Sequence, residues 1–357
     1  SFMLWDNTGE PLVVVHDDDG MINTFYNTCR HRGAPVVTEP EGKKIRLTCI
    51  YHGWTYDLKG NLVNVRDPED FHDIDLSCRG LKPVRTEMLG NLIFINFDDS
   101  AQSLLEWLGP VADELAEFQF ENCRLIGRQA FDIQCNWKIA MEANTEVYHI
   151  KGIHPLTVAP MIDDRRNVNS FYRNGHGRMV APNKIVIDER EDDRTLFPNI
   201  ETVGEIGRTC TQSYGIFPNW VSPLSHRALP PLLFWPTSIN TTRFEVWTFC
   251  RDWGGGPMPE AYKNMWTSPD DTELSEVLQE DTTFGPWIQR SMESSGFQGV
   301  PLSYQEARIY HWNQWADRLI GIDNIPEELR VAQVIGDEWL APNEPRLDQI
   351  GSNIAAS

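Results

Sequence analysis

Two short phrases constrain this chain more than anything else in it. They are Cys29-Arg-His31 and Cys49-Ile-Tyr-His52, both within "NTCRHRGAPVVTEPEGKKIRLTCIYHGWTY" at 27–56. Two cysteines and two histidines in this order ask for a metal, and a shared metal would force two separate loops to meet at one point. The spacing admits a structural zinc or an iron–sulfur cluster. Zinc sites, however, mostly pair a Cys-x-x-Cys phrase with a second phrase of two histidines. Here each phrase carries one thiolate and one imidazole.

The surroundings read as β. "EPLVVVHDDDGMINTFYN" is two strand-like runs around an Asp-Gly turn, a strong hairpin signal. "LTCIYHGWTYDLKGNLVNV" repeats the pattern around a Lys-Gly-Asn turn at 59–61, and "GNLIFINFDD" adds a third apolar strand. Each Cys/His phrase is thus expected at the tip of a hairpin-like unit. The other cysteines, Cys78, Cys123, Cys135, Cys210 and Cys250, have no Cys or His close by in sequence and read as small buried apolar residues. Seven scattered cysteines are no disulfide framework, which suits a reducing, cytoplasmic compartment.

The rest of the composition excludes partners. With 52 acidic against 31 basic residues and a net charge of −21, the chain is a poor match for nucleic acid. No apolar run is long enough to span a membrane. Nothing at the start reads as a signal peptide, and since Ser1 is not a natural start, a leader is expected to be missing.

One thiolate and one imidazole per phrase is the ligand set of a Rieske 2Fe–2S centre, in which one iron takes two Cys and the other two His. With its flanking residues, "CRHRG…CIYHGW" resembles the Rieske domain of ring-hydroxylating oxygenases. Respiratory Rieske proteins carry a further, disulfide-linked cysteine in each loop. Ala34 and Tyr51 stand at the corresponding places here, so the resemblance points to the low-potential oxygenase type. Gly33 and Gly53 are read as allowing tight loop turns.

From about Ser103 the pattern changes. "SLLEWLGPVADELAEF" has helical spacing and reads as a link between two domains. Beyond it the sequence predicts a helix near 137–151, a loop-rich stretch around 160–210, strands in "LPPLLFWPTS" and "TRFEVWTFC", and a loop at "WGGGPMP". A further helix is predicted to begin at "SPDDTELSEVLQED", with Ser268 as N-cap and Pro269 at the first helical position.

A second constellation lies in "NWKIAMEANTEVYHIKGIHP". On a helix, Glu146 and His149 are neighbours at i, i+3, with Glu142 on the same stripe. His149 and His154 would diverge on an ideal helix, but Gly152 and Pro155 suggest that the helix loosens there. In "TELSEVLQEDTTFGPWI", Leu274, Val277, Leu278 and Asp281 share one face, joined by Ile288, while Glu280 points away. A carboxylate aimed into a core needs a partner or a metal. His149, His154 and Asp281 would together supply the 2-His-1-carboxylate set of non-haem Fe(II) oxygenases.

The resemblance now spans most of the chain. Asn136-Trp137-Lys138, the acid at 146, Tyr148-His149, His154 and Glu280-Asp281 resemble the iron motif of Rieske-type ring-hydroxylating oxygenase large (α) subunits. That resemblance implies an α+β protein: an N-terminal all-β Rieske domain over 1–102 and a C-terminal helix-grip-like α+β catalytic domain with an antiparallel sheet over 103–357. It implies a 2Fe–2S cluster on Cys29, His31, Cys49 and His52, and a mononuclear Fe(II) on His149, His154 and Asp281.

It further implies a separate reductase, with or without a ferredoxin, that oxidises NAD(P)H. Electrons would then pass through His31 or His52, Glu146 and His149 between protomers of a homotrimer; whether small β subunits join is left open. Most members carry Asp where this chain has Glu146, and Glu there resembles members that oxidise quaternary amines. The expected reaction is mono- or cis-dihydroxylation of an aromatic or related small molecule with O2. Oxidation of a quaternary amine or N/O-demethylation is the alternative, for which Trp220, Trp235, Trp247 and Trp253 could build a cage. A pure electron-transfer protein without mononuclear iron is the rival from another class.

Overall fold

The computed structural model describes residues 1–185, 200–226, 229–259, 262 and 274–342. The chain divides into two compact units, Ser1–Leu104 and a second that starts at Leu105.

The first unit is built from short strands: β1 (Phe2–Trp5), β2 (Leu12–His16), β3 (Ile22–Tyr26), β4 (Glu41–Gly42), β5 (Leu47–Thr48), β6 (Thr55–Tyr56), β7 (Leu62–Asn64), β8 (Pro83–Leu89) and β9 (Leu92–Asn96). They form a six-stranded sheet in the order β4-β1-β2-β3-β8-β9 and a three-stranded sheet β5-β6-β7. The Asp-Gly hairpin forms as read, with His16 opposite Ile22. Asp17 accepts the backbone N–H groups of Asp19 and Met21, which fixes the turn. The apolar faces of the strands, including Val13, Val15, Phe25 and Leu47, close on Trp54 and Tyr56 in one core that also contains Cys29 and Cys49.

Helix α1 (Leu104–Leu108) begins at the boundary, and the second unit continues with α2 (Pro110–Ala116), β10 (Cys123–Ile133), α3 (Trp137–Glu142), α4 (Ile150–Ile153), β11 (Val168–Phe171) and β12 (Gly177–Pro182). After these come α5 (Glu205–Thr209), β13 (Cys210–Ile216), β14 (Trp220–Leu224), β15 (Leu232–Ser238), β16 (Thr241–Arg251), α6 (Glu276–Met292) and α7 (Ala307–Ile320). The strands make a seven-stranded antiparallel sheet ordered β10-β16-β15-β14-β13-β12-β11. Phe234, Phe244 and Val246 of the sheet pack with Met141 of α3, Leu278 of α6 and Trp312 of α7 in a continuous core. Burying a side chain such as Leu278 contributes about 1.5–3 kcal/mol, and it holds the helices on the sheet.

Several expectations need correction. The helix predicted over 137–151 is two short helices, α3 and α4, separated by turns. Thr145 turns its hydroxyl back to the Met141 carbonyl at 2.9 Å, an alternative to regular helical bonding. The stretch read as loop-rich holds β11 and β12, which extend the sheet. Cys78 is exposed and Cys210 is half-buried, whereas Cys123, Cys135 and Cys250 are buried as expected. The N-cap expected at Ser268 and Pro269 lies outside the described residues; the described helix is α6, with Ser275 at its N-cap position and no side-chain capping bond from it. Among the described residues no helix is long and apolar enough to cross a membrane.

Candidate metal centres

The two Cys/His loops are built to one plan. The Cys29 N–H donates to the Ala34 carbonyl at 2.8 Å and the Gly33 N–H to the Cys29 carbonyl at 2.9 Å. In the second loop Cys49 N–H donates to Trp54 and Gly53 N–H to Cys49, both at 2.9 Å. Each loop needs a left-handed residue to close, and Gly33 (φ +83°) and Gly53 (φ +76°) provide it. The second phrase sits between the paired strands β5 and β6, a true hairpin tip. The first does not: it follows β3, whose neighbours in the sheet are β2 and β8.

Both cysteines are buried and lie beside each other, whereas His31 and His52 are half-buried, their rings 4.6 Å apart at 65°. The His31 ring stacks on Trp54 at 4.9 Å, and among the described residues its buried Nδ1 has no hydrogen-bond partner. Burial, and then His52, hold His31 below its usual pKa, so the ring is a neutral donor near pH 7. Burial pushes the Cys29 thiol up, against the Tyr56 hydroxyl at 3.3 Å from its sulfur. Tyr56 already accepts the Arg30 N–H at 3.0 Å, which leaves its own proton for the sulfur. An orphaned imidazole nitrogen, two buried sulfurs and a hydroxyl directed at one of them fit a 2Fe–2S cluster with its thiolate iron inside.

In the second unit His149, His154 and Asp281 bring one ligand atom each within 4.8 Å of one another, so the three could hold one metal ion. Asn136 caps α3 by accepting the Lys138 N–H at 3.0 Å, which starts the segment that carries the histidines. Helix α4 stops at Ile153, and the two rings then approach to 5.1 Å. The loosening read from Gly152 and Pro155 is therefore seen. Asp281 Oδ1 lies 2.9 Å from His154 Nε2 and 3.6 Å from His149 Nε2.

Glu146 does meet His149, but through a turn rather than along a helix. Its Oε1 is 2.5 Å from His149 Nδ1, and its Oε2 accepts the backbone N–H groups of Tyr148 and His149. Glu142 is not part of this group; it accepts from the Asn313 amide, and burial pushes its carboxyl up.

Glu280 is the residue that sequence reasoning missed. Expected to point away, it places Oε2 2.7 Å from His154 Nδ1 and accepts the Thr157 hydroxyl at 2.7 Å. The nitrogens of His154 lie on opposite edges of its ring, so two adjacent acids on one helix can each reach one. Ile288, expected on the buried stripe, is exposed, and the stripe runs through Leu278, Asp281 and Gly285. Burial lowers the His154 pKa, but the Asp281 and Glu280 carboxylates more than offset it and raise it overall. Two carboxylates at one buried imidazole call for positive charge, which a metal cation supplies.

Of the tryptophans considered for a cage, Trp220 is buried and lines a cavity with Trp312. Trp247 lies under Arg128 and Trp253 under Arg124, at 5.0 and 4.6 Å, so those faces are already covered.

Comparison with known proteins agrees with this geometry. Residues 4–78 match the Rieske 2Fe–2S domain. Residues 120–322 match the ring hydroxylating alpha subunit (catalytic domain) family. The chain belongs to that family.

As a ring-hydroxylating alpha subunit it is expected to hold both a Rieske cluster and a mononuclear iron, and the two donor sets fit them. The glycine betaine monooxygenase oxygenase subunit of Chromohalobacter salexigens is 36% identical over 153 residues, 43% of this chain and 34% of that protein. The 2-aminobenzenesulfonate 2,3-dioxygenase subunit alpha of an Alcaligenes species is 37% identical over 151 residues, 39% of this chain and 36% of that protein. The matched stretch thus spans about a third of each relative. Among solved structures, a quaternary ammonium Rieske monooxygenase in complex with L-carnitine superposes with a TM-score of 0.69 at 19% identity, over 87% of this chain and 82% of that one. At that identity the likeness concerns the fold alone.

Proposed function

We propose that this chain is the terminal oxygenase component of a Rieske-type system, hydroxylating a small organic substrate with O2 and electrons from a separate NAD(P)H-oxidising reductase. The observation that carries the reading is the meeting of His149, His154 and Asp281 in a chain that also holds the paired Cys/His loops. We assign the cluster to Cys29, His31, Cys49 and His52, and the mononuclear iron to His149, His154 and Asp281. When bound, the cluster supplies single electrons and the iron supplies O2 activation.

The chain's own residues do the positioning. Glu146 holds the Nδ1 edge of His149 and Glu280 the Nδ1 edge of His154, which leaves both Nε2 atoms facing Asp281. Hydrogen bonds of this kind fix the tautomer and raise the basicity of an imidazole ligand. We read the assembly as a cytoplasmic homotrimer, as in the family the motifs resemble.

The substrate is an aromatic or related small molecule, the class to which 2-aminobenzenesulfonate belongs. A second reading, oxidation of a quaternary amine such as glycine betaine, is favoured by Glu146 in place of the usual Asp.

The test is a product screen with the iron-loaded protein and a surrogate reductase, offering aromatic acids, neutral arenes and quaternary amines in parallel under labelled O2. An oxygen-labelled product supports the reading. A protein that binds about two irons per chain instead of about three, and incorporates no oxygen, is the electron-transfer protein instead.

A further inference from the structure

Arg308, near the start of α7, is buried to 2% exposure. Among the described residues its Nε and Nη1 have no hydrogen-bond partner, while Nη2 reaches the Gly177 carbonyl at 3.4 Å. The sheet makes room for the group, because Gly177 and Gly215 pair across β12 and β13. A Cβ on Gly177 would lie 3.2 Å from Nε, and one on Gly215 2.8 Å from Nη2. A side chain at either place would crowd the guanidinium.

A buried cation without a counter-charge is strongly unfavourable. The acids on and beside α7 make their contacts elsewhere. Glu114 takes the Arg178 guanidinium at 3.1 Å and the Tyr172 hydroxyl at 2.6 Å. Glu142 accepts the Asn313 amide, Glu306 the Ser303 N–H and Asp317 the Val331 N–H. Burial takes the Arg308 pKa down to about 9, against the pull of the Tyr172 phenol, so the group is charged near pH 7.

Arg308 also lines a cavity of about 10 Å³, room for about one water molecule. The other walls are mostly apolar and include Met141, Ile216, Val221, Trp220 and Trp312. The Thr145 hydroxyl, also in the wall, donates to the Met141 carbonyl at 2.9 Å, and the Trp312 Nε1–H to the Pro218 carbonyl at 2.9 Å. The guanidinium therefore chooses the occupant. A water would satisfy a donor and leave the charge. A monatomic anion of about that size does both, whereas a polyatomic acid does not fit. A guanidinium is weakly hydrated, and apolar walls repay little of a strongly hydrated ion's lost water, which suits a halide.

We propose that this cavity is a halide site, in which a single chloride ion sits against the Arg308 guanidinium, accepts its otherwise unpartnered N–H groups and neutralises the buried charge. The site stabilises the second unit, and the proposal does not rest on the oxygenase reading.

The test has two parts, both on the iron-loaded wild-type protein. Crystals soaked in sodium bromide should show an anomalous bromide peak in the cavity, within hydrogen-bonding reach of Arg308. In solution, chloride replaces gluconate at constant ionic strength while the Tm is followed. A single site should raise the Tm saturably, by about 2–4 °C, because the ion binds the folded state alone. Arg308→Met removes the charge and keeps an apolar chain of similar length. It should lose the chloride dependence and keep the cluster's visible spectrum.

The bromide measurement stands even if the variant does not fold. Density in the cavity without an anomalous signal would identify a water and overturn the proposal. So would a Tm equal in chloride and gluconate, or a chloride effect that survives intact in Arg308→Met. Bromide in the crystal with no saturable effect in solution would be an adventitious ion only, and it too would sink the halide site. None of these outcomes touches the oxygenase reading, which stands or falls on its own product screen.

Discussion

The Nε2 atom of His154 lies 2.9 Å from Oδ1 of Asp281, 127 residues further along the chain. The same oxygen is 3.6 Å from His149 Nε2, so one carboxylate oxygen on α6 gathers two imidazoles from the segment after α3. Helix α3, of 6 residues, is too short to be stable by itself in water. What brings α3 and α6 together is the core in which Met141 of α3 and Leu278 of α6 pack on the sheet.

If Asp281 is the third iron ligand, Asp281→Ala should empty the mononuclear site and leave the cluster untouched. Metal analysis should show about one iron lost per chain, with the visible absorption of the cluster preserved. Full iron content in the variant would remove Asp281 from the ligand set.

Glu280 acts on the opposite edge of His154 from Asp281. Glu280→Gln keeps the shape and removes the charge, and it should weaken mononuclear iron binding by about 10–100-fold, as loss of a carboxylate behind a histidine ligand commonly does. Glu146→Gln, acting behind His149, should fall in the same range. Chelator competition on the purified protein measures both. An affinity equal to wild type in Glu280→Gln would mean that this contact only packs.

At Gly33 and Gly53 it is the backbone, not space, that demands glycine, since among the described residues an added Cβ would come no closer than 4.0 Å to anything at Gly33 and meet nothing within 4 Å at Gly53. Alanine at either position should cost about 1–2 kcal/mol through the left-handed conformation alone. Each variant should therefore show a lower Tm and reduced cluster loading, read from visible absorption. Unaltered loading in both would argue that the loops close some other way.

Acid should destabilise the second unit through His176. Its Nε2–H donates to the Trp107 carbonyl at 2.9 Å, and its Nδ1 accepts the Phe217 N–H at 3.0 Å, so a second proton would set two donors against each other. Burial holds its pKa down to about 4, and burial does the same for His311, also to about 4. Between about pH 6.5 and 4 the unfolded chain therefore binds protons that the folded chain refuses. Stability falls as pH drops through that window, by up to about 3 kcal/mol per histidine, and these groups add no pH dependence above it. Thermal melts from pH 7 to 5 should show the decline, and His176→Gln should make it shallower; a Tm independent of pH would contradict the assignment.

Much of this protein is legible from local order alone. The Asp17–Gly20 turn, the Lys59–Asn61 turn and the alternation in β15 and β16 follow from residue type, because turn chemistry and strand periodicity act over a few residues. Candidate ligands for both metal centres could be proposed as well, since Cys29-x-His31, Cys49-x-x-His52 and the 146–154 run carry rare residue types at telling spacings. Reading 137–151 as one helix failed because Thr145, Glu146 and the turn to His149 use side-chain bonds to the backbone that compete with the helix.

What the sequence by itself determined is the inventory: which side chains can bind metal, which runs alternate, and where Gly must stand. Only the tertiary structure decided that Glu280 faces His154, that Ile288 faces solvent, and that Arg308 lies buried against Gly177 and Gly215. The reason is physical. Periodicity assigns a residue to a face of its own helix, but what lies opposite depends on chain segments more than a hundred residues away, and no local rule carries that distance.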